Sequence, residues 1–308
     1  MAHTKAIGKR RWMGLDLEFR IKTRLDQESA MKTRPSHSNR RIPAILSLAA
    51  ATWLVTGAAN AASITTLADA NWEGTVISDP QGPANSGSLT SNVSPGGATA
   101  DAYQDVSGVA AVRVDGGSAN GQPGNSLKAI STWSETFTNT SGQTQSYDAL
   151  LSIPQISLFF SGSGFGSGPG QQRNSYYSII LEIDGVTKFL SSALLRSGNA
   201  GHVLSEVGTD LGGIKDPGSI RYNFAPFSGT VNLGNFAAGD VFTAVYRIEA
   251  GIDIPGFEIS ADASIGDPLT VQGTGIQITS TVVPVPAAAG LFLAGLVSLG
   301  TLRRRRLA

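Results

Sequence analysis

Polar and apolar residues alternate with a period of two through much of segment 62–281, a pattern typical of half-buried β-strands. Turns rich in Gly, Ser, Asn and Asp separate the alternating runs. The dipeptide Asp184-Gly185 between two such runs predicts a tight hairpin. The predicted strands cover Val109–Val114, Ile130–Thr138, Tyr147–Phe160 with a break near Pro154, Tyr176–Ile183, Val186–Leu190, Thr230–Phe236, Val241–Ala250, Phe257–Ile265 and Leu269–Thr279.

The many short strands and Gly-rich turns predict an all-β domain, an antiparallel β-sandwich that is jelly-roll-like. A β-helix is the alternative, but the segment has no fixed repeat period. Two stretches, Asp79–Gly97 and Ser161–Gly170, are dense in turn-forming residues and are predicted to be irregular loops.

The last 26 residues, 283–308, contain three successive zones. A stiff proline motif comes first, because each proline fixes its φ angle. An uncharged run of 16 residues follows, at the short edge for a transmembrane helix, and a cluster of arginines ends the apolar stretch. A buried core helix is the alternative, which the absence of a polar face disfavours. The proline motif is Val283, Pro284, Val285 and Pro286, and the arginine cluster is Arg303, Arg304, Arg305 and Arg306.

This order of proline motif, apolar helix and arginine cluster resembles the PEP-CTERM sorting tail of Gram-negative bacteria. The usual motif of that family is Val-Pro-Glu-Pro. Here Val285 replaces the glutamate and Ala287 follows, which is similar to the Val-Pro-Leu-Pro-Ala variant. The resemblance covers 26 of 308 residues. It implies recognition by an exosortase, transient inner-membrane anchoring, removal of the tail and a role beside exopolysaccharide in biofilm or floc formation.

Residues 31–61 have the zones of a secretory signal peptide. A basic region precedes an apolar run from Ile42 to Val55, and Ala59 and Ala61 form an A-x-A cleavage site. The sequence therefore predicts engagement of the export machinery and cleavage after Ala61.

Residues 1–30 precede a signal that already has its own methionine, Met31. We interpret these 30 residues as a gene-start error, with an extended basic region of the signal as the alternative. The predicted organisation is then a signal at 31–61, a β domain at 62–281 and a sorting tail at 282–308.

Charge is unevenly distributed along this formally neutral chain. Residues 62–302 carry 8 Lys and Arg against 19 Asp and Glu, whereas residues 1–61 carry 11 against 4. An acidic exported domain disfavours nucleic acid as a partner. The chain has no cysteine, which excludes disulfides, thiol catalysis and cysteine-based metal sites.

The sequence offers little support for catalysis, and no catalytic residue is assigned. His202 is the one histidine of segment 62–281, and no G-x-S-x-G elbow accompanies it, which disfavours a Ser-His-Asp triad. Glu182 and Asp184 are two apart on a predicted strand and are expected to share a face. A carboxylate from another strand would complete a glycosidase-type pair. The candidate partners are Glu135, Glu249 and Glu258.

Calcium is the one candidate cofactor, because carboxylates in turns can supply its oxygen ligands. No EF-hand loop is present, and aspartate is also favoured in turns for its own local hydrogen bonds, which makes solvated turns the alternative. The candidate calcium ligands are Asp210, Asp216, Asp262 and Asp267.

Exposed aromatic rings would suit carbohydrate binding, since sugars can stack on ring faces. In the adjacent pair Tyr176-Tyr177 one ring must lie on each face of its strand, so at least one is expected to be exposed. A position in the buried core is the favoured alternative for Trp133 and for Phe137. The other candidates are Trp72, Trp133, Tyr103 and Tyr222.

The sequence thus predicts an exported, exosortase-processed protein of the cell surface or extracellular matrix, without enzymatic activity. A carbohydrate-binding module is the alternative, and a secreted hydrolase is the third hypothesis. Extracellular polysaccharide is the expected partner in the first two.

Overall fold

The computed structural model describes residues 58–59, 62–118, 125–161, 173–198, 201–216, 220–254, 259–268 and 273–283. Over these ranges the chain forms eighteen β-strands. The first nine are β1 (Ala58–Ala59), β2 (Ser63–Trp72), β3 (Thr75–Ala84), β4 (Ser88–Val93), β5 (Thr99–Asp105), β6 (Ala110–Ser118), β7 (Asn125–Thr138), β8 (Gln145–Ile153) and β9 (Ile156–Ser161). The others are β10 (Arg173–Ile183), β11 (Val186–Gly198), β12 (Gly201–Gly208), β13 (Gly213–Asp216), β14 (Ile220–Phe224), β15 (Phe227–Phe236), β16 (Val241–Ile254), β17 (Ile259–Ile265) and β18 (Gly275–Val282).

The strands form three antiparallel sheets. The first is an eight-stranded sheet in the order β12-β11-β10-β16-β7-β2-β3, with β1 beside β7. The second is seven-stranded in the order β13-β14-β9-β17-β6-β5-β4. The third has the order β15-β8-β18. Strands β15, β8 and β18 are neighbours in sequence of β14, β9 and β17, respectively. Because the two sets of strands have the same lateral order, the third sheet extends the seven-stranded sheet.

The core lies between the eight-stranded sheet and this second layer, because alternate residues of each strand point inward. Strand β10 illustrates the pattern, with buried and half-buried residues alternating over its full length. Trp72 at the end of β2 is 1% exposed and packs against Gly116 of β6. A Cβ atom on Gly116 would lie 2.6 Å from Cη2 of Trp72, so the close approach requires glycine.

The prediction of an all-β, antiparallel sandwich is confirmed. The break near Pro154 separates β8 from β9, and Asp184 and Gly185, with φ angles of 51° and 76°, form the predicted hairpin turn between β10 and β11. Over the described part of the chain, no helix is long and apolar enough to cross a bilayer.

The prediction that Asp79–Gly97 is irregular is wrong for most of its length. This stretch contains the second half of β3 and all of β4. Strand β3 is at the edge of its sheet, and its Pro80 pairs with Leu67 of β2. Proline has no N–H group to donate, and an edge strand tolerates this because no second strand lies on its other side. Asp79 joins the two strands by accepting a hydrogen bond from the backbone N–H group of Asn92 at 2.8 Å.

Most of both predicted targeting segments lies outside the described residues. This applies to the signal peptide up to Ala61, apart from β1, and to the tail from Pro284 to the arginine cluster. Ala59 belongs to β1, opposite Phe137 of β7. Val283 donates its backbone N–H group to the carbonyl of Thr144 at 3.1 Å. Most of the predicted loop Ser161–Gly170 also lies outside.

Candidate functional site

A depression of about 450 Å³ lies on the outer face of the eight-stranded sheet. Antiparallel register aligns Tyr176 of β10, Gly251 of β16, Lys128 of β7 and Asp69 of β2 in one row across four strands. Asp253, two residues after the glycine, points to the same face. We call Tyr176, Lys128, Asp69 and Asp253 the tyrosine platform.

The ring of Tyr176 lies directly over Gly251. A Cβ atom on Gly251 would stand 2.2 Å from Cζ of the ring and 2.3 Å from its hydroxyl oxygen, so only glycine leaves room for this position. The hydroxyl group donates to Oε1 of Glu249 at 3.4 Å. Burial, followed by the negative charges of Glu249 and Asp253, raises the pKa of Tyr176 well above its usual value. The phenol therefore stays protonated and remains a donor at neutral pH.

Charged groups surround the ring on the tyrosine platform. Nζ of Lys128 lies 3.5 Å from Oδ2 of Asp69, whose other oxygen accepts a hydrogen bond from Ser78 at 2.5 Å. Asn174 donates its side-chain amide to Asp253 at 3.3 Å. The platform thus combines one aromatic ring with side chains that donate and accept hydrogen bonds, which is the chemistry of a site for a polyhydroxyl ligand.

A second depression, of about 550 Å³, lies on the outer face of the seven-stranded sheet. Register aligns Arg221 of β14, Phe159 of β9, Asp262 of β17 and Asp115 of β6 in one row. Arg113, two residues before Asp115, points to the same face. We call these five residues the aspartate cleft.

Charges of both signs alternate within the aspartate cleft. Arg113 lies 3.2 Å from Asp115, and the guanidinium carbon of Arg221 lies 4.5 Å from the centre of the Phe159 ring. The pKa of Asp262 is raised to about 6, first by burial and then by the negative charge of Asp115, while Arg113 and Arg221 offset part of the rise. Burial and the neighbouring Asp115 thus disfavour the charged form of the Asp262 carboxyl group.

The candidate calcium ligands fall in different surroundings. Asp262 and Asp267 both line the depression of the aspartate cleft. Asp210 accepts a hydrogen bond from the backbone N–H group of Gly212 at 2.6 Å, as expected of an aspartate in a turn. Asp216 ends β13, and its side chain lies outside the described part. Among the described residues no group of three or more His, Asp or Glu side chains is placed to hold a metal ion.

The aromatic candidates divide between the core and the surface. Trp72 and Tyr177 are each 1% exposed and Trp133 is 4% exposed, so these three are core residues. Tyr103 and Tyr222 are partly buried. Tyr176 points outward, which confirms the prediction that the Tyr176-Tyr177 pair places a ring on each face of its strand.

The predicted pair Glu182 and Asp184 is wrong, because Asp184 lies in the hairpin turn and not on the strand. Its Oδ1 atom accepts the backbone N–H group of Thr243 at 2.8 Å. The carboxylates that register does place side by side are Asp115 and Asp262, on neighbouring strands β6 and β17.

The other carboxylates that the sequence offers for a catalytic pair lie in different surroundings. Glu135 is partly buried, which raises its pKa. Glu249 lies 2.6 Å from Arg247, and Glu258 is outside the described residues. His202 lies on edge strand β12 opposite Ser197.

No protein-family model matches this chain, and no curated protein matches it either.

Proposed function

We propose that this chain is an exported, non-catalytic protein of the cell surface or extracellular matrix that binds neutral polysaccharide on the tyrosine platform. The observation that carries the proposal is the Tyr176 ring, which lies over Gly251 in a depression lined by charged and hydroxyl side chains together with Val76 and Ile77. The glycine supports one face of the ring, and the position on the outer face of the sheet leaves the other available for stacking.

The groups around Tyr176 support a sugar ligand over an apolar one. Sugar hydroxyl groups both donate and accept hydrogen bonds, and the carboxylates of Asp69 and Asp253 beside the ammonium group of Lys128 meet both needs. A neutral sugar is favoured because the depression contains both charge signs, so an anionic or a cationic polymer would meet a like charge.

Replacing Tyr176 with Ala is expected to weaken binding of a neutral polysaccharide about tenfold, because the stacking surface is lost. Tyr176→Phe keeps the ring and should retain most of the affinity. Binding is measured by affinity electrophoresis in gels containing dextran, galactomannan, xylan or mixed-linkage glucan. Gly251→Ala is the matched test of ring position, since its new Cβ atom displaces the ring without removing it.

Thermal unfolding of each variant serves as the control for folding. Equal retardation of wild type and Tyr176→Ala in every gel would contradict the platform as the binding site. The same polysaccharides are assayed for released reducing ends, because the neighbouring carboxylates Asp115 and Asp262 are the specific feature that favours the hydrolase alternative. Release by wild type that Asp262→Asn abolishes would overturn the non-catalytic assignment.

We further propose that export and sorting follow the two terminal signals. The signal peptide at 31–61 directs the chain to the export machinery, and the tail at 282–308 holds it in the inner membrane until an exosortase acts near the proline motif. The domain itself is proposed to be a jelly roll, since β7 pairs with β16 and β6 with β17 across long stretches of sequence. The resemblance of the tail supports the sorting proposal.

Replacing Arg303–Arg306 with four serines is expected to cause retention or mis-sorting, because the positive charges that keep the tail end cytoplasmic are lost. Fractionation into inner membrane, outer surface and medium measures the distribution, and mass spectrometry of the mature protein gives its C-terminus. A four-lysine replacement controls for charge alone. Unchanged secretion together with an unchanged C-terminus in the serine variant would remove the sorting proposal.

A further inference from the structure

We propose that the aspartate cleft is a second binding site for a neutral sugar unit, so that one domain cross-links two polysaccharide chains. This inference rests on the proposed function of the tyrosine platform and adds a separate site to it. The two sites belong to different layers of the sandwich, and each lies on the outer face of its layer. With the core between them, a chain bound at one site leaves the other free.

The Arg221–Phe159 contact gives the aspartate cleft a fixed hydrogen-bond donor. The guanidinium carbon lies over the Phe159 ring, 4.5 Å from its centre, and a cation–π contact of this kind leaves the guanidinium N–H groups able to donate to a ligand. Across the described residues Arg221 takes part in no salt bridge. An exposed arginine that lies over an aromatic ring and forms no salt bridge among the described residues is suited to bind an oxygen ligand.

The acceptors of the aspartate cleft lie beside this donor. Asp262 is the neighbour of Phe159 in the register between β17 and β9, and the outward serines Ser157, Ser260 and Ser264 add hydroxyl groups around it. Hydroxyl groups can donate to Asp262 and accept from Arg221 at the same time. A sugar unit meets this alternation of acceptors and donors, with no net charge brought into the cleft.

The placement of Asp262 is also one that folding alone does not favour. Its carboxylate is partly desolvated and lies beside Asp115, and a serine or threonine on the same strand face would avoid both costs. Groups held against their electrostatic preference cluster at binding and catalytic sites. The outer face of a sheet would otherwise tolerate almost any polar residue at this position.

The test compares wild type with Tyr176→Ala, Arg221→Ala, Asp262→Asn and the double variant Tyr176→Ala/Arg221→Ala. Lys188→Ala is the matched charge control, because this exposed lysine lines neither depression. Beads coated with the polysaccharide that wild type binds are loaded with protein and then offered the same polysaccharide in fluorescent form. Capture of fluorescence on the beads requires two sites on one protein or self-association of proteins with one site each, and the single-site variants distinguish these two cases.

Wild type and Lys188→Ala are expected to capture the fluorescent chain. Each single-site variant should remain on the beads but lose capture at least about tenfold, and the double variant should not bind. Two equivalents of a short oligosaccharide should bind wild type in calorimetry, against one for each single-site variant.

The outcomes separate the two proposals. A single equivalent that Tyr176→Ala removes entirely, with Arg221→Ala and Asp262→Asn unchanged, would overturn the second site and leave the platform standing. A single equivalent that Arg221→Ala removes and Tyr176→Ala leaves intact would overturn the platform, and with it the cross-linking. Capture by Tyr176→Ala and Arg221→Ala equal to wild type would indicate self-association and overturn the inference as well. Unfolding curves confirm that each variant is folded.

Discussion

Replacing Trp72 with Ala is expected to lower the free energy of unfolding by about 4 kcal/mol. Trp72 is 1% exposed and ends β2, where its ring fills the space above Gly116 of β6. Removing the indole leaves a cavity between the two layers that a neighbouring glycine cannot fill. Urea unfolding followed by circular dichroism measures the loss as a lower transition midpoint with an unchanged slope.

Tyr176→Ala is the matched comparison, because it truncates an aromatic residue on the outer face of the same sheet. We expect it to lower the free energy of unfolding by about 1 kcal/mol, well below the effect at Trp72. Trp72→Phe should be intermediate. The pair separates the two roles that the sequence left open for aromatic residues: Trp72→Ala should reduce stability and Tyr176→Ala should reduce polysaccharide binding. If Trp72→Ala reduced polysaccharide binding and Tyr176→Ala reduced stability, the assignment of Trp72 to the core and Tyr176 to the binding surface would be wrong.

Period-two alternation identified the strands whose inward residues are large. In β10 and β16 the buried positions are mainly Ile, Leu, Tyr and Phe, which contrast strongly with their polar neighbours. Strand β2 was missed, although it alternates as regularly, because Thr66, Ala68 and Ala70 occupy its buried positions. Small side chains suffice there because Trp72 supplies the bulk at one end.

Edge strand β3 was missed for a different physical reason. Strand β3 contains Asp79, Pro80 and Gly82, residues that a central strand would not accommodate. It pairs with β2 on one side only, and its residues are mostly exposed, so neither hydropathy nor propensity marks it as a strand. The conformation of β3 depends on its pairing with β2, and the residues of β3 alone do not indicate that pairing.

The candidate sites divide in the same way. Strand geometry predicts that the Tyr176-Tyr177 pair places one ring on each face of the sheet, and the structure confirms it, with Tyr177 in the core and Tyr176 half-buried on the outer face. The supporting position Gly251 and the neighbouring pair Asp115 and Asp262 depend on register between strands distant in sequence. Register follows from how all strands pair, so no single segment predicts these contacts. The sequence offers Asp262 as a candidate calcium ligand within the predicted strand Phe257–Ile265, and the structure places it in β17 beside Asp115, a neighbour that the sequence alone does not indicate.

Replacing Asp262 with Asn is expected to stabilise the folded protein by about 3 kcal/mol at pH 7, an unusual result for a single polar substitution. The pKa of Asp262 rises from 3.8 to about 6 in the folded state, chiefly through burial. Between these two values the folded state binds more protons than the unfolded state. The stability contributed by this group is therefore complete below about pH 4 and is lost as pH rises through about 6.

The asparagine has nearly the shape of the aspartate but does not titrate, so the difference between the two proteins should depend on pH. Urea unfolding at pH 3.5, 5, 6 and 7.5 should give nearly equal stabilities at the lowest pH, an advantage for Asp262→Asn that widens between about pH 4 and 6, and a nearly constant advantage above that range. Ser264→Ala, on the same outward face of β17, controls for the loss of a polar group without a pH-dependent charge.

A variant that is less stable than wild type at pH 7.5 would mean that Arg113 and Arg221 stabilise the Asp262 carboxylate more than burial and Asp115 destabilise it. The aspartate cleft would then be a stabilising ion-pair network. If instead Asp262→Asn is more stable and also loses capture of the second polysaccharide chain, the same carboxylate lowers stability and supports binding. That combination is expected of a residue retained for a ligand, because a residue retained for folding would not destabilise the fold that contains it.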